Sequence, residues 1–201
     1  MSDAIHEVAH EASHKAAHGG GTDQKLIGLL ISVLALFLAI SEMQGKSAQT
    51  HGLTLNIQAS DLWNFFQAKT IRQTVVRALA DNAKITPSTD AQATQKQIDT
   101  WTATASRWES EPSTNEGRQE LVKRAKAAEE ERDRYMEKYH AYELASLVLQ
   151  LGIVMASVAL LSSTLLFAFV SCALGGLGIT LFAGTYLDVH FITDLLHKLT
   201  S

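Results

Sequence analysis

The feature that most constrains this chain is one periodic stretch, residues 121–161, which begins among charged residues and ends among apolar ones. One side of it recurs in alternating steps of four and three residues, the heptad spacing that predicts a single helix with a continuous packing seam. Neither proline nor glycine interrupts it before Gly152. Roughly forty residues of helix reach about 60 Å, twice the hydrocarbon thickness of a bilayer. The predicted seam comprises Leu121, Ala125, Ala128, Arg132, Tyr135, Tyr139, Tyr142, Ser146, Leu149, Ile153, Ala156 and Leu160.

Charge is distributed unevenly along the chain. Residues 26–40, 144–161 and 165–187 contain no charged side chain, although the chain has 17 basic and 21 acidic residues. The sequence therefore predicts an all-α membrane protein with three transmembrane helices and a helical, coiled-coil-like extramembrane domain between the first and second. The transmembrane helices are placed at 25–43, 144–161 and 165–187. The first apolar run is short, so a buried helix of a soluble protein is the alternative there.

The remaining segments follow from these spans. Residues 1–24 form a His-rich flexible tail, 44–143 the extramembrane domain, and 188–201 a short amphipathic segment that could lie on the membrane surface. The turn at Ser162, Ser163 and Thr164 is too short for anything except an antiparallel pairing of the last two spans.

The extramembrane domain is expected to contain three helical stretches. The first is amphipathic and ends near Pro87, because proline disfavours helix in the preceding residue. The second runs from Asp90 to about Glu109, and a capping box of Ser113 and Glu116 is expected to start the long helix. The apolar positions of the first stretch are Leu62, Phe65, Phe66, Ala68, Ile71, Val75 and Leu79, and those of the second are Ile98, Trp101, Ala105 and Trp108.

A short run in the first stretch, from Ser60 to Lys69, reads S-D-x-W-x-x-x-Q-A-K. It resembles the hallmark of the DUF4337 family, bacterial membrane proteins of unknown function. The order of segments is similar as well: a His/Glu-rich tail, one membrane helix, a charged helical middle and two closing membrane helices. The resemblance implies this architecture and the bacterial inner membrane. It implies no activity, substrate or catalytic residue.

Four polar or aromatic residues of that run, Asp61, Trp63, Gln67 and Lys69, invite a site hypothesis. Asp61 and Lys69 lie two helical turns apart, so each needs a partner on another helix or subunit. One interpretation is a docking patch for a binding partner. The other, which we favour, is interhelical packing in which polar contacts fix the helix register.

Two stripes of small residues predict close helix packing in lipid, where hydrophobicity supplies no force between helices. The stripe in the first span is Gly28, Ser32, Ala35 and Ala39, and the stripe in the last span is Ala168, Cys172, Gly176, Thr180 and Gly184. The second is the more specific pattern, and it predicts contact with another helix within or between subunits. A pore lining is the alternative, but pores usually show polar or charged residues that this span lacks.

The tail carries histidines at every fourth position, His6, His10, His14 and His18, which share one side of a helix. Imidazole pairs at this spacing can bind Zn²⁺, Ni²⁺ or Cu²⁺. The alternative is an exposed tail whose histidines are simply solvated, and no other cofactor is indicated.

The orientation of the middle domain stays open. The middle domain contains 14 of the 17 basic residues, which favours a cytoplasmic location by the positive-inside rule. However, so long a segment can be translocated regardless of its charge.

Composition and motifs narrow the classes of function to expect. With a net charge of −4 the chain lacks the basic character typical of nucleic-acid-binding proteins. No nucleotide-binding loop or catalytic triad motif is present in the sequence. No small-molecule substrate is indicated. We therefore expect a non-catalytic integral membrane protein: a homo-oligomeric scaffold, or an accessory subunit that contacts lipid and other membrane subunits. The alternative is an oligomeric channel or transport-related protein with a metal-binding His tail.

The tail hypothesis has a direct test. If the four histidines bind metal, calorimetric titration with Zn²⁺, Ni²⁺ or Cu²⁺ gives a saturable heat that disappears when His6, His10, His14 and His18 are changed to Ala. Equal heats for the two proteins exclude the site.

Overall fold

The computed structural model describes residue 7 and residues 22–162 and 164–187 of the 201-residue chain. Within these residues the fold is all-helical and contains no strand. The four helices are α1 (Thr22–Ile85), α2 (Ala91–Glu109), α3 (Arg118–Ser162) and α4 (Leu165–Tyr186). The His-rich tail and the C-terminal segment 188–201 lie outside the described residues, apart from Glu7.

Three of these helices are long and apolar enough to cross a membrane: α1, α3 and α4. The uncharged runs of the sequence predict these same three. The structure thus confirms the all-helical class and the number of membrane-length helices in the described part of the chain.

The first membrane-length segment and the first stretch of the middle domain form one helix, α1, of 64 residues. Gly45 and Gly52 lie inside α1 and do not interrupt it, although glycine costs a helix interior about 1 kcal/mol. At Gly45 a Cβ would lie 3.5 Å from the Cβ of Tyr142, so α1 and α3 approach closely there. Packing outweighs the intrinsic preference of the glycine.

The start of α2 is confirmed. Asp90 has an extended backbone, and its side chain accepts hydrogen bonds from the backbone N–H groups of Gln92 and Ala93. This N-cap satisfies donors that have no partner inside the helix.

The expected capping box at the start of α3 is wrong. Glu116 precedes the helix, and the carboxylate that reaches back belongs to Glu120, in the first turn. It accepts from the Ser110 hydroxyl at 2.7 Å and from the Glu111 backbone N–H at 3.2 Å. The turn can close this tightly because residue 117 is glycine, where a Cβ would lie 2.4 Å from the Glu111 nitrogen.

The chain divides into two compact units. The apolar unit comprises residues 1–50 and 135–201, and the charged unit comprises residues 51–134. In the apolar unit the core forms between α1, α3 and α4. Its buried members are Ile31, Leu34, Leu38, Leu149, Ile153 and Ala156, with a second cluster of Tyr142, Ala145 and Phe182.

In the charged unit, Leu62 of α1 packs against Leu121 and Ala125 of α3, with Trp63, Phe65 and Phe66 around them. The face of α1 that is buried here differs from the expected apolar pattern. Lys69 and Gln73 are 6% and 2% exposed, whereas Ile71, Val75 and Leu79 are 65%, 52% and 45% exposed. Hydrogen bonds, described below, compensate the burial of these polar groups.

The long helix is confirmed. Helix α3 runs unbroken from Arg118 to Ser162, and its predicted seam is the side that is buried or half-buried. Leu121, Ala125, Leu149 and Ala156 are fully shielded from solvent.

Glycine size provides a test of packing in the apolar unit. A Cβ at Gly178 would lie 2.7 Å from Cγ of Leu149, whereas a Cβ at Gly176 meets nothing within 4 Å. We expect Gly178→Ala to lower the unfolding free energy by about 1–3 kcal/mol through overpacking. Gly176→Ala, the matched control, should leave it unchanged or slightly raised. Circular dichroism of both variants in detergent during thermal unfolding measures the difference, and equal midpoints would contradict the packing.

Candidate functional site

Among the residues that the structure describes, helix α4 has one packed side and one open, exposed side. The packed side carries Ser171, Gly175, Gly178 and Phe182, all buried. The Ser171 hydroxyl donates to the carbonyl of Gly152 at 2.8 Å, so α4 lies very close to α3. A Cβ at Gly175 would lie 2.6 Å from Cδ2 of Leu34, so the side chain of Leu34 from α1 occupies the space that this glycine leaves.

The predicted small-residue stripe of α4 lies on its other side. Cys172, Gly176 and Thr180 are exposed, and Ala168 and Gly184 are half-buried. Helix packing within the chain therefore uses a different set of small residues from the one that the spacing singled out. A contact of the stripe with another subunit stays a prediction.

The predicted stripe of α1 is divided. Gly28 is buried and Ala35 half-buried, but Ser32 and Ala39 are exposed. The side of α1 that enters the core carries the larger Ile31, Leu34 and Leu38 instead. The positions that face Leu34 are small: they are Gly152 of α3 and Gly175 of α4.

A few polar contacts join α1 to α3 inside the apolar unit. Ser41 donates to the Tyr142 carbonyl at 3.1 Å, and Ser146 donates to the Ser41 hydroxyl at 3.0 Å. Both serines are buried. Gln150 donates to the carboxylate of Glu42 at 3.3 Å. These bonds satisfy polar groups in an apolar setting and fix the register of the two helices.

A cavity of about 400 Å³ lies beside these contacts, between α1 and α3. Glu42 and Lys46 line one wall, and Tyr139 and Glu143 line the other. Its lining side chains supply hydrogen-bonding groups and charge, and no histidine or cysteine is among them.

The four residues of the docking hypothesis separate into two pairs. Asp61 and Gln67 are exposed. Trp63 donates its indole N–H to Glu129 at 2.9 Å, and the Lys69 ammonium donates to the Glu116 carbonyl. The structure thus gives Trp63 and Lys69 partners within the chain, as the packing interpretation expects, and leaves Asp61 and Gln67 on the surface.

Lys69 is held by more than this bond. Its ammonium lies 3.8 Å from the Glu111 carboxylate, 4.0 Å from that of Glu116 and 5.2 Å from the centre of the Phe65 ring. A nearly buried lysine requires such compensation, because removing its charge from water costs several kcal/mol. It therefore pins α1 to the turn that precedes α3.

A polar layer, formed by Thr70, Gln73, Glu109 and Arg118, joins all three helices of the charged unit. The Gln73 side chain donates to the Ala105 carbonyl at 2.8 Å and to Glu109 at 2.9 Å. Arg118 donates to Glu109 at 2.7 Å, to the Gln73 carbonyl oxygen at 2.8 Å and to Thr70 at 2.9 Å. Its guanidinium also lies 5.0 Å from the centre of the Phe66 ring.

Contacts within the polar layer change the pKa of Glu109. The hydrogen bond from Gln73 and the charge of Arg118 hold the pKa of Glu109 below its ordinary value of 4.5, against the opposing effect of desolvation. Nearby, the Ser110 hydroxyl lowers the pKa of Glu120. Both carboxylates therefore stay ionised to a lower pH than an unperturbed glutamate does.

Sequence reasoning missed the polar layer. The signal was present, because Leu62, Phe66, Lys69, Gln73, Val76 and Ala80 follow heptad steps, and a polar residue at such a position predicts a buried partner. The apolar residues on the opposite side of the helix, including Ile71, Val75 and Leu79, obscured it.

The metal hypothesis cannot be assessed on the tail, because His6, His10, His14 and His18 lie outside the described residues. Among residues 22–162 and 164–187, no three His, Cys, Asp or Glu side chains are grouped closely enough to hold a metal ion.

The lowered pKa of Glu109 gives a pH prediction. A carboxylate whose folded-state pKa is depressed adds stability above the unfolded pKa, and this stability is lost as pH falls through the folded pKa. We expect Glu109→Gln to melt less pH-dependently than the wild type between pH 7 and pH 3. All three tryptophans, Trp63, Trp101 and Trp108, lie in the charged unit, so their fluorescence reports its melting.

The matched control is Glu130→Gln, since Glu130 is an exposed carboxylate on α3 that forms no ion pair with the described residues. Its pH dependence should match the wild type. A Glu109→Gln variant that keeps the full acid sensitivity of the wild type would show that the polar layer contributes nothing.

Comparison with known proteins gives one match. The chain matches no curated protein and no solved structure. A family model described as a domain of unknown function, DUF4337, matches residues 23–188, which include all of α2, α3 and α4 and nearly all of α1. The match covers both compact units and confirms the resemblance that the run from Ser60 to Lys69 indicates. The chain belongs to the DUF4337 family.

Proposed function

We propose that this protein is a non-catalytic integral membrane protein that assembles with further copies of itself, as a scaffold or as an accessory subunit of a larger complex in a bacterial inner membrane. Helices α1, α3 and α4 would each cross the bilayer. The observation that carries the proposal is the open side of α4, where small residues line up without a partner helix among residues 22–162 and 164–187.

The argument rests on what small residues do in lipid. A lipid-facing position gains nothing from being small, because acyl chains pack against leucine or phenylalanine equally well. Small residues are useful where two helix backbones approach closely. Inside the chain this use is visible at Gly175 and Gly178, whose missing side chains admit Leu34 and Leu149. The stripe on the open side consists of small residues as well, so a second helix could approach it equally closely.

The surroundings of the stripe support the same conclusion. Large apolar side chains flank it, including Phe169 at 72% exposed and Leu177 at 50% exposed. A shallow apolar groove of about 260 Å³, lined by Leu30, Ala168 and Cys172 among others, runs along its edge between α4 and α1. A helix laid on the stripe could place its own side chains in this groove.

A larger side chain on the stripe of α4 tests the proposal. We expect Gly176→Leu to lower the mass of the detergent-solubilised particle, measured by light scattering, from a multiple of the chain mass toward a single copy. Gly176 has open space around it within the chain, so the substitution leaves the fold of one copy intact. Val170→Phe, which adds bulk elsewhere on the exposed surface of α4, is the matched control and should keep the wild-type mass.

Wild-type particles that contain other polypeptides beside this chain would identify the accessory-subunit form. A wild-type particle that holds one copy and nothing else would overturn the proposal, as would equal masses for the Gly176→Leu and Val170→Phe variants.

A further inference from the structure

The part of α1 in the charged unit carries two heptad seams on opposite sides. The occupied seam, Leu62, Phe66, Lys69, Gln73, Val76 and Ala80, is buried or half-buried against α2 and α3. The open seam follows steps of four and three just as regularly. It consists of Asn64, Ala68, Ile71, Val75, Ala78, Asn82 and Ile85.

The occupied seam buries two polar side chains, and the open seam exposes aliphatic ones. The occupied seam buries an ammonium and an amide, Lys69 and Gln73. On the open seam, Ile71, Val75 and Ile85 are 65%, 52% and 83% exposed, and Leu79 beside it is 45% exposed. A contiguous stripe of branched aliphatic side chains on a charged helical unit marks an interaction surface rather than a solvated face.

We propose that the open seam of α1 pairs in parallel with the same seam of a second copy of this chain. This surface is distinct from the stripe of α4. The inference shares with the proposed function only the expectation that copies associate.

The direction in which α1 would insert into the membrane favours a second copy of the chain as the partner. Helix α1 is one helix that also carries a membrane-length apolar segment, so every copy inserted in the same sense presents this helix in the same direction. Two such helices side by side are parallel, and a two-fold axis between them sets each seam residue against its own counterpart. A seam that repeats every 3.5 residues then meets a surface of identical pitch.

The residue types fit a parallel pair in register. Val75 would meet Val75, and Asn82 would meet Asn82, whose side-chain amides can hydrogen-bond across the axis. A single polar residue at such a position specifies register in parallel coiled coils. Arg72 flanks the seam on one side and Gln67 and Asp81 on the other, so no like charges oppose each other in register. Asp61, one step before Asn64, would face its own copy and therefore bounds the seam.

Site-directed disulfides test the pairing. The chain has one cysteine, so Cys172→Ser gives a cysteine-free background for the full-length protein. In that background we expect Val75→Cys and Asn82→Cys each to form a disulfide-linked dimer on mild oxidation in membranes, because counterparts across a two-fold axis lie within disulfide distance. Both positions are exposed in the single copy, so neither substitution disturbs the fold.

The matched control is Arg77→Cys, on the same helix and comparably exposed at 56%, but off the seam. Its dimer yield should be several-fold lower. Disulfide-linked dimers at both Val75→Cys and Asn82→Cys would exclude antiparallel pairing, because an antiparallel pair cannot set both residues against their own counterparts.

The other outcomes separate the two proposals. Equal yields at positions 75, 77 and 82 would mean random collision and would overturn the seam. No dimer at 75 or 82, in a particle that still contains several copies by light scattering, would overturn the seam while leaving the proposed function intact. A single-copy particle without disulfides would overturn both.

Discussion

The structure depends on close approach between helices, and that approach depends on side chains that are missing or short. In the apolar unit, Gly152, Gly175 and Gly178 let α3 and α4 come near enough for the Ser171 hydroxyl to reach a carbonyl of α3. The same gaps admit Leu34 and Leu149. Dispersion contacts at this distance are individually small and collectively large, and in lipid they are the main force between helices.

The charged unit is held by a different chemistry. Its apolar core is small, and much of the joint between α1, α2 and α3 is made by Gln73, Glu109 and Arg118. Gln73 donates to two acceptors and Arg118 to three in this layer, so the three helices fit together in one register. The arrangement favours specificity of packing more than net stability, since buried polar groups recover little beyond their cost of desolvation. It also explains why a helix can bury Lys69 while Ile71 remains outside.

The packing of each unit leaves one periodic helical surface exposed. On α4 a Cβ at Gly176 would meet no atom within 4 Å. On α1 the aliphatic residues around Val75 are exposed in the charged unit. Both surfaces repeat with helical periodicity, and neither the stripe of α4 nor the open seam of α1 itself contains a charged residue. Such surfaces gain contact area when other helices pack on them, and this is the physical basis on which we propose that copies of the chain associate.

Much of the fold was readable from the sequence. The uncharged runs predict the three membrane-length helices, the heptad steps predict an unbroken α3, and Asp90 predicts the start of α2, because each of these features is set by local chemistry along one helix. The family followed from the run between Ser60 and Lys69. What the sequence left undecided was which side of each helix meets another. Small residues at Gly176 and at Gly175 look alike in sequence, and Ile71 looks more buried than Lys69. Only the tertiary structure decides between them, because the choice depends on what the facing helix presents: Leu34 opposite Gly175, and Glu111, Glu116 and Phe65 around the ammonium of Lys69.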